Sequence, residues 1–183
     1  MIRSATFLGA LLAVLVALPQ GATAQGRPQT RQGFFIGFGL GVGSFGCEGC
    51  GSRETGGAGY LKLGGAVSPR LLVGGEWSAW TKEEGGARVT HANVSAIAQF
   101  YPSAASGFFL KGGLGFSRKE ASASGGGFSF SAGESGLGLT AGLGYDVRLG
   151  TNFSLSPYGS FGWGSFDDGS ANNAQLGLGV TWH

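Results

Sequence analysis

Large apolar side chains fall on every second position over long stretches of this chain. Phe34, Ile36, Phe38, Leu40 and Val42 alternate with Phe35 and four glycines, so one face is bulky and the other nearly bare. That is the two-residue period of a β-strand, whose successive side chains point to opposite faces. The pattern returns around Leu61 and Leu63, Val73 and Trp77, Val94 and Phe100, Leu110 and Phe116, and Leu139 to Val147. It returns again around Phe161 and Trp163, and from Leu176 to Trp182. The opposite faces carry Lys62, Glu76, His91, Asn93, Ser95, Gln99, Lys111, Asp146, Arg148, Ser154 and Ser156, with many glycines between them. Eight such segments are present. Each is long enough for a tilted strand to cross a bilayer, which takes ~9–11 residues.

The sidedness of the alternation selects the architecture. Eight strands close around an interior with room for small side chains only. The bulky apolar face therefore belongs outside, against lipid, where every backbone polar group must be paired and a sheet must close on itself. The sequence predicts an all-β fold: an eight-stranded antiparallel up-and-down transmembrane β-barrel.

The amino terminus lies outside this pattern. Met1-Ile2-Arg3 is a short basic start, Phe7 to Leu18 is an unbroken apolar run, and Ala22-Thr23-Ala24 is an A-x-A cleavage site. The run is too short for a spanning helix and fits a secretory signal peptide. Residues 1–24 are expected to be removed, leaving 25–183 as one barrel domain.

Composition narrows the partners. Charged residues make up 12% of the 183-residue chain and the formal net charge is +2. No basic stripe is present, which excludes nucleic acid as the main partner. So little charge suits an outer surface that meets lipid. Glycine, at 39 residues, raises collagen and disorder. The first fails for lack of a G-X-Y period, and the second conflicts with a 42% hydrophobic content placed in register. Interior glycine leaves two readings open: a water-filled channel, or bare backbone over which Phe35, Phe109, Tyr60, Tyr158 and Trp80 lie.

Connections alternate in length. Ser68 to Arg70, Pro102 to Gly107 and Gly150 to Asn152 are short. Gly46 to Gly56, Lys82 to Gly86, Lys119 to Ser135 and Asp167 to Asn173 are mostly longer or more polar. Short turns on one side and longer loops on the other is the outer-membrane arrangement, with the longer set exterior. The chain closes on Gly179-Val180-Thr181-Trp182-His183, with an outward aromatic in the final strand. In these features the chain resembles the small eight-stranded outer-membrane barrels, the group that includes OmpX and the barrel domain of OmpA. That family usually finishes on Phe; here Trp182 holds the outward place and His183 overhangs it. The resemblance implies recognition by the barrel-assembly machinery and a setting in outer-membrane lipid and lipopolysaccharide. No further periplasmic domain is expected after the last strand.

Several residues could carry chemistry. Lys62, Glu76, Lys111, Asp146 and Arg148 point inward by parity, and buried charges need partners; an internal ion-pair network and a polar path for ions are the two readings. Phe100, Tyr145 and Trp182 lie outward near strand ends and are expected to sit at the headgroup level. Cys47-Glu48-Gly49-Cys50 lies in an exterior connection. Zinc lacks a second Cys/His pair, a redox role wants a thioredoxin-like setting, and export favours a Cys47–Cys50 disulfide. His91 cannot serve Ser95, because i and i+4 on one strand lie about 13 Å apart. A lipid hydrolase would need a Ser from a neighbouring strand, such as Ser78. Phe128 and Phe130 in a Ser/Gly-rich tip either contact a surface partner or extend two strands as a hairpin. No cofactor or metal is expected. The expected function is structural or surface-interacting, through envelope integrity or exterior-loop adhesion, without turnover. A lipid-modifying hydrolase and a narrow solute channel are the alternatives.

Overall fold

A computed structural model describes residues 31–125 and 128–183. The proposed signal segment lies outside the described residues. The chain forms β1 (Phe34–Cys47), β2 (Glu54–Ser68), β3 (Leu71–Glu84), β4 (Ala87–Phe100), β5 (Phe108–Gly125), β6 (Phe128–Tyr145), β7 (Val147–Arg148), β8 (Phe153–Phe166) and β9 (Gly169–Trp182). Consecutive strands pair antiparallel except β6 and β7, which both pair with β8, and β1 pairs with β9, so the sheet closes. Two-residue β7 continues β6 past Asp146, so the barrel has eight staves. The fold is the eight-stranded closed antiparallel barrel.

Exposure follows the period-two reading. Leu40, Leu114, Phe116, Leu176 and Leu178 are more than half exposed on the outside, whereas Phe35, Tyr60, Leu72, Trp80, Ile97 and Phe109 are buried inside. In a soluble protein the exposed set would be an aggregation surface. On a barrel it is the lipid-facing band.

The exterior connections differ from the sequence expectation. Strand runs through most of 119–135, β3 and β4 are joined only by Gly85-Gly86, and Asp167-Asp168 is the whole turn before β9. Both residues of the Gly85-Gly86 turn have positive φ, 61° and 83°. That is the primed-turn backbone matching the twist of paired strands, and glycine adopts it without a Cβ clash. Ser, Ala and Gly composition reads as loop, but a ladder needs only backbone N–H and C=O groups. The β4–β5 ladder runs up to the Ala87–Ala123 pair, so β5 rises two residues above β4, about 5 Å at ~3.3 Å per residue and a tilt near 40°, while β6 runs nine residues beyond its last pair with β8. Above the Leu137–Ser165 pair, β6 has no ladder with β8, leaving an open edge over residues 128–136.

Candidate functional site

The lumen is packed in layers set by register. At the periplasmic end Phe35, Leu72, Tyr101 and Phe109 form one buried apolar cluster. Toward the exterior Phe45, Ala58, Trp80, Phe166 and Ala171 form a second. Phe45 stacks on Trp80 with ring centroids 4.9 Å apart, and Trp80 Nε1 donates to Gly43 O at 3.0 Å. The interior therefore carries two apolar plugs with a polar layer between them.

That layer holds most of the inward charges singled out in the sequence. Lys111 Nζ donates to Glu76 Oε1 and Oε2 at 2.7 and 2.5 Å, with side chains 5% and 1% exposed. Lys62 Nζ donates instead to Gln99 Oε1 at 2.9 Å. Gln99 Nε2 donates to the Tyr101 hydroxyl, and Tyr101 donates to Asp146 Oδ2 at 2.6 Å. Ser156 Oγ donates to the other Asp146 oxygen at 2.6 Å. Arg148 donates to Thr151 O at 3.1 Å. The five residues are thus divided: Lys111 and Glu76 form an ion pair, and Lys62 reaches Asp146 through two neutral side chains.

Tyr101 and Arg31 were not singled out from the sequence. Continuing the inward parity past Gln99 would have reached Tyr101. Arg31 precedes the first strand and gave no periodic signal. Its guanidinium lies 3.4 Å over the Tyr101 ring and donates to Ser106 O at 2.7 Å, closing the periplasmic end.

Interior glycine makes room for rings. A Cβ on Gly39 would lie 2.4 Å from Tyr60 Cε1, and one on Gly179 would lie 2.2 Å from the Tyr60 hydroxyl. Tyr60 in turn packs edge-on against Tyr158 at 4.7 Å. Aromatics laid over bare backbone occupy this part of the lumen.

His91 Nε2 lies 2.9 Å from Ser117 Oγ on β5, the strand beside β4. Ser78, the partner suggested by the sequence, is not the contact. The pair is fully buried, faces inward beside Phe45 and Phe166, and its Nδ1 has no hydrogen-bond partner among the described residues. Among the described residues no carboxylate orients the ring as a nucleophile–base pair requires.

On the outside, Phe100, Tyr145 and Trp182 are the last residues of β4, β6 and β9. They lie at the periplasmic end with Phe34, Phe108 and Phe153, which are the first residues of β1, β5 and β8. Phe153 and Trp182 meet edge-on at 6.3 Å.

At the exterior end Cys47 and Cys50 are disulfide-bonded. Phe130 is 70% exposed on the β6 extension, whereas the side chain of Phe128 lies outside the described residues. This end holds Arg53, Lys82, Arg88, Arg118 and Lys119 against Glu48, Glu54, Glu83, Glu84, Glu120, Glu134, Asp167 and Asp168, an acidic excess. Lys119 bridges Glu134 at 3.0 Å and Asp168, and its hydrogen bond holds the Asp168 carboxyl below its ordinary range. No cluster of metal-ligating residues occurs among the described residues.

This geometry is that of the small eight-stranded outer-membrane β-barrels. The chain is similar to Ail, the attachment invasion locus protein of Yersinia pestis, at 21% identity and TM-score 0.63, covering 84% of this chain and 100% of that one. It is similar to Neisserial surface protein A, at 16% identity and TM-score 0.60, covering 84% and 98%. The N-terminal barrel domain of Pseudomonas aeruginosa OprF matches at 13% identity and TM-score 0.53, covering 84% and 100%. At these identities the likeness establishes the fold alone. No protein-family model matches, and neither does any curated protein sequence.

Proposed function

We propose that this chain is an outer-membrane surface-contact protein of a Gram-negative bacterium, closed to solutes, that acts through its exterior hairpins and contributes to envelope integrity. The observation that carries this is the combination of a doubly plugged lumen with a β5–β6 hairpin that leaves β8 behind and presents an open β6 edge over residues 128–136. Recognition concentrates on protruding segments of a rigid scaffold. Export after cleavage behind Ala24 and insertion by the barrel-assembly machinery complete the proposal. In it the inward charges rigidify the lumen, Phe100, Tyr145 and Trp182 anchor the periplasmic interface, and the Cys47–Cys50 bridge staples the first exterior tip.

Both alternatives meet physical objections. A channel would have to cross two aromatic layers. A hydrolase built on His91 and Ser117 would have to admit lipid to a buried, inward pair with no orienting acid. A structure of Ail is known with a heparin analogue, sucrose octasulfate; the acidic excess at the exterior end here makes a polyanion a poor partner for this chain.

Replacing 121–132 with an Asn-Gly turn tests the proposal, because Glu120 and Gly133 are paired neighbours. Folding, read as heat-modifiable gel migration, is expected to persist. Adherence of displaying cells to epithelial monolayers is expected to fall to the vector level. Unchanged adherence would refute the hairpin's role, and defined conductance steps in planar bilayers would refute closure.

A further inference from the structure

A groove of about 880 Å³ lies on the outer wall, where β6, β8, β9 and β1 meet lipid. Its walls are Leu143, Phe161, Leu176 and Val42, and small residues such as Gly159 and Ala174 form its floor. The paired row Leu110, Leu143, Gly159, Leu176, Val42 follows the hydrogen-bond direction across the strands. Strand tilt makes that direction oblique to the membrane. The row starts at the third residue of β5, near the periplasmic end, and the groove climbs to Ser44 and Thr55, where β1 and β2 leave the bilayer. Five strand spacings of ~4.8 Å make it roughly 24 Å long.

Arg53 stands at its upper end, on the outer face. Its Nε donates to Ser44 Oγ at 2.9 Å, one terminal nitrogen donates to Asn172 Oδ1 at 2.7 Å, and the other donates to Ser44 O at 2.7 Å. The guanidinium lies across Gly46, where a Cβ would come within 2.7 Å of it. Exposed arginines usually wave in solvent; this one is pinned by three hydrogen bonds. The other exterior cations, Lys82, Arg88, Arg118 and Lys119, each have a carboxylate within 4 Å. Arg53 has none among the described residues. Five donors less three leaves two N–H groups for an acceptor, and the forked guanidinium suits phosphate.

We propose that Arg53 and this groove form a binding site for a phosphorylated acyl lipid of the outer leaflet. The phosphate accepts from Arg53 and an acyl chain lies along Val42, Leu176, Phe161 and Leu143. The two halves argue independently: the groove selects a chain, and the unneutralised, immobilised cation at its polar end selects an anionic headgroup. The inference rests on the membrane-barrel reading but not on the surface-contact role.

The test uses the full chain purified in detergent, titrated with monophosphoryl lipid A and followed by native mass spectrometry. Arg53→Gln is expected to weaken retention about tenfold. Gly46→Ala displaces the guanidinium and is expected to act in the same direction. Ala174→Phe fills the groove and is expected to lower lipid A binding while leaving Arg53 in place. Inorganic phosphate and a neutral diacylglycerol are the control arms; each is expected to bind at least tenfold more weakly than lipid A. Retention unchanged in both Arg53→Gln and Ala174→Phe, or equal binding of the neutral lipid, would overturn the site. Heat-modifiable migration of each variant separates loss of the site from loss of the barrel.

Discussion

Replacing Glu76 with leucine removes the counter-ion of Lys111 while keeping most of the side-chain volume. Lys111 is left in the lumen with its side chain 5% exposed and both of its carboxylate hydrogen bonds gone. Breaking a buried pair by deleting one partner costs about 3–5 kcal/mol, because the remaining charge is uncompensated. The Tyr60 ring, 5.1 Å from the ammonium, remains as a weak cation–π partner. The loss is therefore placed at the lower end, about 3 kcal/mol. Glu76→Leu with Lys111→Met removes both charges and is expected to return to within about 1 kcal/mol of the parent, since an apolar isostere of a buried pair is often neutral or stabilising. Urea unfolding in phospholipid vesicles, followed by tryptophan fluorescence, measures all three proteins. A single variant as stable as the parent would refute the reasoning, and so would a double variant as unstable as the single. The first result would mean that water reaches Lys111, and the second that the pair is needed for its shape.

Other expected outcomes are smaller. Gly39→Val places side-chain atoms where Tyr60 lies and is expected to cost about 1–3 kcal/mol by overpacking; the same unfolding assay reads it, and a Tyr60→Ala background should relieve part of the loss. Reducing the Cys47–Cys50 bridge opens a very short loop and is expected to cost no more than about 2 kcal/mol by chain entropy, read as the urea midpoint with and without reductant. The Asp168 carboxyl is held below its ordinary value by the Lys119 hydrogen bond. The contribution of this contact is therefore present above the unfolded-state value and lost as pH falls through the depressed one. A carboxyl NMR titration should find Asp168 shifted back toward the usual range in Lys119→Ala.

Sidedness was legible because lipid and lumen impose opposite demands on alternate positions. Leu139, Leu143 and Val147 read outward, and they are 39%, 54% and 37% exposed. Glycines on the alternate face left both a channel and room for rings open, and Gly39 and Gly179 frame Tyr60. Parity could place Lys62 and Asp146 inside but not name their partners, because register between strands distant in sequence is absent from local pattern. Gln99 and Tyr101 therefore connect them unannounced. The extension of β5 and β6 through 119–135 fits loop and strand alike in the sequence, since Ser, Ala and Gly satisfy both. Arg53 gave no signal at all: its meaning comes from Ser44 and Asn172, the latter far away in sequence.

The claim under everything else is that apolar side chains clothe the outside of a closed cylinder. Nitroxide labels at Leu139, Leu143 and Val147, and at Thr140 and Ser160 on the other face, test it in reconstituted vesicles by collision with oxygen and with a water-soluble nickel complex. High oxygen and low nickel accessibility are expected for the first set and low oxygen accessibility for the second, alternating residue by residue along β6. Reversal of the two sets, or loss of the alternation, would contradict it.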